Sequence, residues 1–355
     1  MEDLINSVIG EKRPHEETTL SNDRIRIQVI GVGGAGCNTV TRLTKRGIKS
    51  AETVAVNTDQ LHLKITEANR RILIGEKITK GLGAGGFPEV AMRCAEVSKD
   101  KIREVVGNSE LVFICTGLGG GTGTGASPVI AEVAKEQGAI VVSFVTLPFA
   151  LERARIKKAV WGLEQLMKHC DSVVVIDNNR LATYVPNLPI NQAFAVADEI
   201  TAKAVAGISD TIIFPSLINI DYADLKAIMA SSGLALISVG EGRGNDRVDM
   251  VVRNTLEHPL LDVDCSKARG ALLHIEGGTQ LTLGEATTIG EKITQALPED
   301  ANVIFGARLT PEAGDGVTVV AIMTGITSEN IIADVQAGAE KAAKEILAGL
   351  DEIRY

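Results

Sequence analysis

The sequence predicts an α/β protein: a Rossmann-like parallel sheet covered on both faces, joined by a long central helix to a smaller α+β domain. Three observations predict it. Aliphatic residues supply nearly all of the 45% hydrophobic content, aromatics being only 3%, which suits helices packed on buried parallel strands. In the first half, apolar strand-like runs alternate with amphipathic helical stretches, the pattern of a doubly covered parallel sheet. The 36 glycines cluster in a few short stretches, and two of these stand between a strand-like run and a helix.

The elements follow in order. Residues 1–23 are mostly polar and read as an extension with one short helical turn near Leu4–Ile9. The ordered body starts with the apolar run Ile25–Ile30, which ends at Gly31. Further strands are expected at Thr53–Val56, Arg71–Ile74, Leu111–Thr116, Ala139–Leu147 and Ser172–Ile176, with helices at Glu89–Val106, Pro128–Gln137 and Ile156–Lys168. A long helix over Asn191–Ile208 closes the first domain, 24–208. The second domain, 209–327, has strands at Leu234–Val239, Ala271–Ile275, Asn302–Ala307 and Gly316–Met323, and helices at Val248–Glu257 and Leu283–Leu297. In the tail, 328–355, Ile332, Val335, Ala339, Ala342, Ile346, Leu350 and Ile353 recur at spacings of three and four, an amphipathic helix.

Bulk properties narrow the function. A net charge of −9 repels phosphate backbones and disfavours nucleic acid as a partner, while leaving room for one phosphate ligand held by backbone N–H groups. Five widely spaced cysteines without a C-x-x-C pair argue against a zinc site or disulfide framework and for reduced thiols in a cytoplasmic protein. No signal peptide is apparent at the N-terminus, and no apolar run reaches the roughly 18–20 residues that span a bilayer.

The chemistry lies in the glycine clusters. Gly31-Val32-Gly33-Gly34-Ala35-Gly36 follows a strand and opens a helix, so helix N–H groups can face a phosphate. Alone, this G-x-G-x-x-G with Glu52 or Asp59 downstream suits an NAD-dependent dehydrogenase. The second cluster, Gly117 to Gly125, follows the strand at Leu111–Cys115 and is far denser in glycine than a structural turn needs. It is expected to wrap an anion with backbone donors, threonine hydroxyls adding bonds. No G-x-x-x-x-G-K-[ST] is present, which excludes a Walker-type loop.

Gly119–Gly125, GGGTGTG, resembles the signature of the tubulin/FtsZ family, on its FtsZ side, and the resemblance extends from about Arg24 to Ile326. It implies a GTPase, with GTP or GDP and magnesium as ligands, that assembles head to tail with copies of itself. Gly33, Gly34, Ala35, Gly36, Cys37 and Asn38 correspond to the family's first phosphate loop, with Asn38 toward guanine. Asn57 and Asp59 correspond to the acidic loop beside nucleotide and magnesium, the latter expected mainly on the phosphates. Ala84, Gly85 and Gly86, within Gly81–Pro88, correspond to the loop that senses the terminal phosphate, and Gly119, Gly120, Gly121, Thr122, Gly123 and Thr124 to the signature loop. Glu152 and Arg155 correspond to the ribose and phosphate contacts, although the Glu-to-Arg spacing departs from the family's and leaves Arg153 as a rival. Asn178, Phe194 and Asp198 correspond to the guanine pocket, a phenyl face for stacking and a carboxylate to accept from guanine N–H groups.

The segment Ser216–Lys226 resembles the family's N-x-D-x-x-D loop. It implies that Asp221 and Asp224 act on the GTP of a neighbouring subunit, with Asn219 touching the nucleotide across the interface. Unaided, two acids three residues apart also suit a solvated helix start. The family implies a cell-division role at mid-cell, with separate membrane-anchor and division proteins as partners. A tubulin-like filament for cell shape or plasmid segregation is the alternative.

Overall fold

The computed structural model describes residues 25–326 apart from 185, 215, 217, 219, 230–232 and 258–267. The turn expected near Leu4–Ile9, the tail helix and Asn219 lie outside the described residues.

From the N-terminus the chain forms β1 (Ile27–Val32), α1 (Gly33–Arg46), β2 (Glu52–Asn57), α2 (Gln60–Ile65), β3 (Arg70–Leu73), α3 (Glu76–Thr79), α4 (Pro88–Glu96) and α5 (Lys99–Val106). Next come β4 (Leu111–Gly117), α6 (Thr122–Glu136), β5 (Ile140–Leu147), α7 (Arg153–His169), β6 (Ser172–Asp177), α8 (Asn178–Tyr184) and the long α9 (Ile190–Ile213). The remainder is α10 (Tyr222–Met229), β7 (Gly233–Gly242), α11 (Arg247–Leu256), β8 (Gly270–Gly277), α12 (Leu283–Thr294), β9 (Asn302–Leu309) and β10 (Val317–Ile326).

β1 to β6 are parallel in the order β3-β2-β1-β4-β5-β6. Their Val/Ile-rich runs are buried on both faces, so successive residues serve different cores. Ile30, Val112 and Ile114 share a core with α5, α6 and α7. Val29, Leu111 and Phe113 share the opposite one with Val40 and Leu43 of α1 and Val205 and Ile208 of α9. Each fully buried aliphatic side chain contributes about 1.5–3 kcal/mol to folding.

The second domain is joined to the first through the sheet as well as through the long helix. β7 continues it beside β6 through Ser172↔Gly233, Val173↔Leu234 and Val174↔Ala235, and β10, β8 and β9 follow to give one ten-stranded sheet. β10 is antiparallel to β7 and β8. α9 is tied to this half by Arg308–Asp210 at 2.7 Å and by the Lys203–Glu241 ion pair.

Several helices differ from expectation, the long one running on to Ile213 instead of ending at Ile208. The stretch Glu89–Val106 is broken at Val97–Ser98, where the Ser98 hydroxyl accepts the Gly75 N–H at 3.1 Å and does not cap its own helix. The helix expected from Pro128 starts at Thr122, with Pro128 in its interior. Its first turn is built from glycine and threonine, poor helix formers held there by tertiary contacts.

Candidate functional site

In the order 3-2-1-4-5-6, chain progression reverses between β1 and β4, and ligands of open α/β sheets bind beyond the carboxyl ends of strands at such a point. Both glycine clusters follow these two strands. β1 passes into α1 at Gly33, whose φ is +74°, and β4 passes through Leu118–Gly121 into α6. Neither helix has a side-chain cap or an acidic residue in its first turn. Their first N–H groups and positive dipole ends are therefore available to an anion.

Geometry divides the glycines into two kinds. An ideal Cβ on Gly36 would lie 2.1 Å from the Cys115 carbonyl oxygen, on Gly123 2.4 Å from that of Gly117, and on Gly125 1.9 Å from that of Pro88. These positions let backbones touch. Gly34 and Gly120 are open: a Cβ on Gly34 has only His62 Nε2 within 4 Å, and one on Gly120 has nothing. At most of the glycines after β4 the missing side chain thus makes room for neighbouring atoms, a packing role that stands beside the anion-wrapping role expected from sequence. The threonines too are occupied. Thr124 Oγ1 accepts the Gly119 N–H at 2.9 Å, and Thr122 Oγ1 pairs with Thr58 Oγ1 at 2.6 Å.

Around these loops several side chains hold the backbone in place. Asn57 is buried, its Oδ1 accepting from the N–H groups of Thr58 at 2.8 Å and Asp59 at 3.2 Å. Asp59 Oδ1 accepts from Leu61 and His62 N–H at 2.8 and 3.1 Å, capping α2. The Cys37 side chain points into a small core with Ala55 and Leu63, where burial pushes the thiol up to about 12. Any part of Cys37 in binding therefore falls to its backbone, as a member of the first phosphate loop. Ala84 is buried, and an ideal Cβ on Gly121 would lie 3.0 Å from its Cβ, so the third glycine loop, Gly81–Gly86, seats on the second cluster. Glu152 Oε1 accepts the Phe149 N–H at 3.2 Å, and Glu152 Oε2 pairs with Arg155 at 2.6 Å. The Arg155 Cβ lies 3.0 Å from an ideal Cβ on Gly119, which sets the Arg155 stem against the second loop. Arg153 is exposed at the start of α7.

At the other end, Asn38, Phe194 and Asp198 line one cavity of about 670 Å³ with Thr41, Arg42 and Lys45. Phe194 stays 41% exposed although its ring is 5.8 Å from that of Phe149, so one apolar face has no protein cover. Asn178 is buried and its Oδ1 has no hydrogen-bond partner among the described residues, an arrangement that a ligand donor would satisfy. Asp198 Oδ1 accepts from Thr39 Oγ1 at 2.8 Å. Burial raises the Asp198 carboxyl above its ordinary range, opposed by the Thr39 bond and the Arg42 charge. Thr39 was not anticipated; its role depends on α9 packing on α1, which no local pattern announces.

Asp221 and Asp224 are not brought to this site. Asp221 is exposed, and its Oδ1 accepts the Asp224 N–H at 2.7 Å, capping α10; Asp224 is half-buried in the first turn. Tyr222 Oη donates to the Glu110 carbonyl at 2.8 Å, and Glu110 directly precedes β4. The glycine loop follows the other end of that seven-residue strand. At about 3.3 Å per residue, roughly 23 Å of sheet separates the acids from the phosphate loops of their own chain.

Comparison with known proteins places this geometry. The model of the Tubulin/FtsZ family GTPase domain matches residues 26–186, and that of the FtsZ family C-terminal domain matches 233–327. The chain is 57% identical over 311 residues to cell division protein FtsZ 2 of Methanocaldococcus jannaschii, covering 86% of this chain and 82% of that protein. A solved FtsZ dimer from M. jannaschii superposes with a TM-score of 0.83 at 43% identity, covering 92% of both chains. CetZ1 from Haloferax volcanii, solved as a GDP-bound monomer, shares the fold with a TM-score of 0.77 at 21% identity, covering 90% of this chain and all (100%) of the other.

Proposed function

Because the chain belongs to the tubulin/FtsZ family of GTPases, in its FtsZ branch, we propose that it polymerises head to tail and hydrolyses GTP at sites completed by the next subunit. The observation that carries this reading is that Tyr222, beside the acids, is bonded to Glu110 at one end of β4, while the glycine loop follows the other end of that strand, roughly 23 Å of β-sheet away. The acids reach a γ-phosphate only when one end of a subunit meets the other end of a second. Such contact is heterologous and does not close on itself, so it builds open filaments.

Each group has a task in this reading. The uncapped starts of α1 and α6 hold the phosphates, Gly120 and Gly34 letting the backbone approach. Arg155, kept in place by Glu152, faces the phosphates. Phe194 stacks on the base, and Asn178 Oδ1 and the Asp198 carboxylate accept its N–H groups. Guanine offers N1–H and N2–H donors that adenine lacks on that edge. Magnesium would be held mainly by phosphate oxygens, with Asp59 the acid of the neighbouring loop, and would supply charge neutralisation. From the adjoining subunit, Asp221 and Asp224 orient and polarise the attacking water, and Asn219 touches the nucleotide. Positioning and electrostatics are most of what phosphoryl transfer requires. Division at mid-cell is the cellular role, with filaments brought to the membrane by a separate anchor protein. The 57% identity to a cell division protein FtsZ favours this over a tubulin-like filament for cell shape or plasmid segregation.

Asp198 supplies the test of the base assignment. Asp198→Asn is expected to weaken GTP and GDP about ten- to a hundredfold, the loss of one or two charge-assisted hydrogen bonds. The carboxylate must be ionised to accept both donors, and its pKa is raised. Affinity of the parent chain should therefore fall as pH drops, beginning above the ordinary carboxyl range, and more steeply than that of the variant, which keeps only the dependence that protonation of the GDP phosphate brings. Equilibrium binding of GDP between pH 4 and 7 measures this. Equal turnover of ATP and GTP would remove the guanine pocket from the reading.

A further inference from the structure

We propose that Lys158 is a positioning residue that tethers the third glycine loop, Gly81–Gly86, to α7 and thereby sets the preference of the site for a nucleoside triphosphate over a diphosphate. The proposal rests on the reading that this loop meets the terminal phosphate. Gly81, Gly83, Gly85 and Gly86 have φ of +75°, +85°, +61° and +78°. A run so rich in left-handed glycines has little conformational bias of its own, so external anchors decide where it lies.

The two halves of the loop are anchored differently. The first half is fixed by backbone: Gln60 N–H donates to the Gly81 carbonyl at 2.9 Å, and Gly83 N–H to the Thr58 carbonyl at 3.1 Å. At the second half, Lys158 Nζ donates to the Gly86 carbonyl at 2.6 Å and lies 5.5 Å from the centroid of the Phe87 ring. Phe87 is 54% exposed, so much of the residue has no core around it and the ammonium is one of the contacts on the ring. On α7, Lys158 stands three residues after Arg155, on the same helix face. α7 thus carries one group set against the second loop and another bound to the third.

A ligand that reaches the third loop benefits from finding it in place, because the entropy of ordering it has already been spent. A diphosphate that stops short of the loop gains nothing from the tether. Removing the ammonium should therefore weaken the triphosphate selectively. A structural part in α7 would weaken both nucleotides alike.

The test uses the full chain below its assembly concentration, with magnesium, a non-hydrolysable GTP analogue and GDP as probes. Lys158→Met is expected to lower the ratio of triphosphate to diphosphate affinity about three- to tenfold with GDP affinity unchanged, and Lys158→Arg to keep the parent ratio. Gly86→Ala, strained by its left-handed φ, perturbs the loop directly and serves as the control. If Gly86→Ala lowers the ratio and Lys158→Met does not, the loop reads the terminal phosphate without Lys158 and the proposal fails alone. If neither variant moves it, the reading of the loop fails and takes the proposal with it. Equal weakening of both nucleotides by Lys158→Met also overturns it.

Discussion

Asp224→Ala should bind GTP and GDP as the parent chain does and lose turnover by a factor of order 10² or more. The residue is suited to a clean test. It sits half-buried in the first turn of α10, contributes its N–H rather than its carboxylate to the local hydrogen bond with Asp221, and belongs to neither core. Removing its charge from a helix start costs about 0.3–1 kcal/mol, too little to unfold the chain. Asp221→Ala is less clean, because it also deletes the cap of α10 and with it about 0.5–2 kcal/mol. Phosphate release and equilibrium nucleotide binding, measured on the same preparation, separate the two quantities. Normal hydrolysis by Asp224→Ala would remove that carboxylate from the chemistry.

A comparably large effect, on stability instead of turnover, is expected from Gly125→Ala. Its new methyl group would lie 1.9 Å from the Pro88 carbonyl oxygen and 2.9 Å from the Met92 nitrogen, both in the backbone of α4. Backbone cannot swing aside as a flexible side chain can, so α4 and α6 must separate. Overpacking of this kind costs about 1–3 kcal/mol or more. The gain of about 1 kcal/mol in helix propensity from glycine to alanine offsets part of it at best. Gly120→Ala, five positions earlier, has nothing within 4 Å of its methyl and no left-handed φ. Its unfolding transition should stay within about 0.5 kcal/mol of the parent, while affinity for GTP and GDP falls about tenfold as the methyl crowds the phosphates. Thermal melts and nucleotide titrations of both variants check the division. A destabilised Gly120→Ala with intact binding would reverse the roles given to the two glycines.

That division marks where sequence reasoning stopped. Strands such as Leu111–Gly117 and Ser172–Asp177 were legible because a parallel strand buried on both faces is an unbroken apolar run. The two glycine clusters were legible as loops at the ends of such strands. What each glycine does was not, because whether its missing side chain faces a carbonyl oxygen or open space depends on elements distant in sequence. The same holds for Cys37, adjacent to Asn38 yet turned into the core with Ala55 and Leu63, and for Thr39, which reaches Asp198 on α9. The start of α6 was missed because local propensity argues against helix over Thr122–Gly125, where tertiary packing prevails. Continuity of the sheet from β6 to β7 rests on three residue pairs joined across a long stretch of chain, a register that no local pattern encodes. For the acids the sequence order was informative. It puts Asp221 and Asp224 after the long helix, and the Tyr222–Glu110 bond ties their helix to the end of β4 opposite the glycine loop.

Phosphate release from GTP against protein concentration, with magnesium present and light scattering followed in the same cuvette, bears most directly on a site divided between subunits. Turnover per subunit should be negligible at low concentration and rise steeply above a threshold that it shares with scattering. Turnover per subunit that stays constant on dilution, through the range where scattering vanishes, would mean that one chain carries the whole site and that Asp221 and Asp224 act elsewhere.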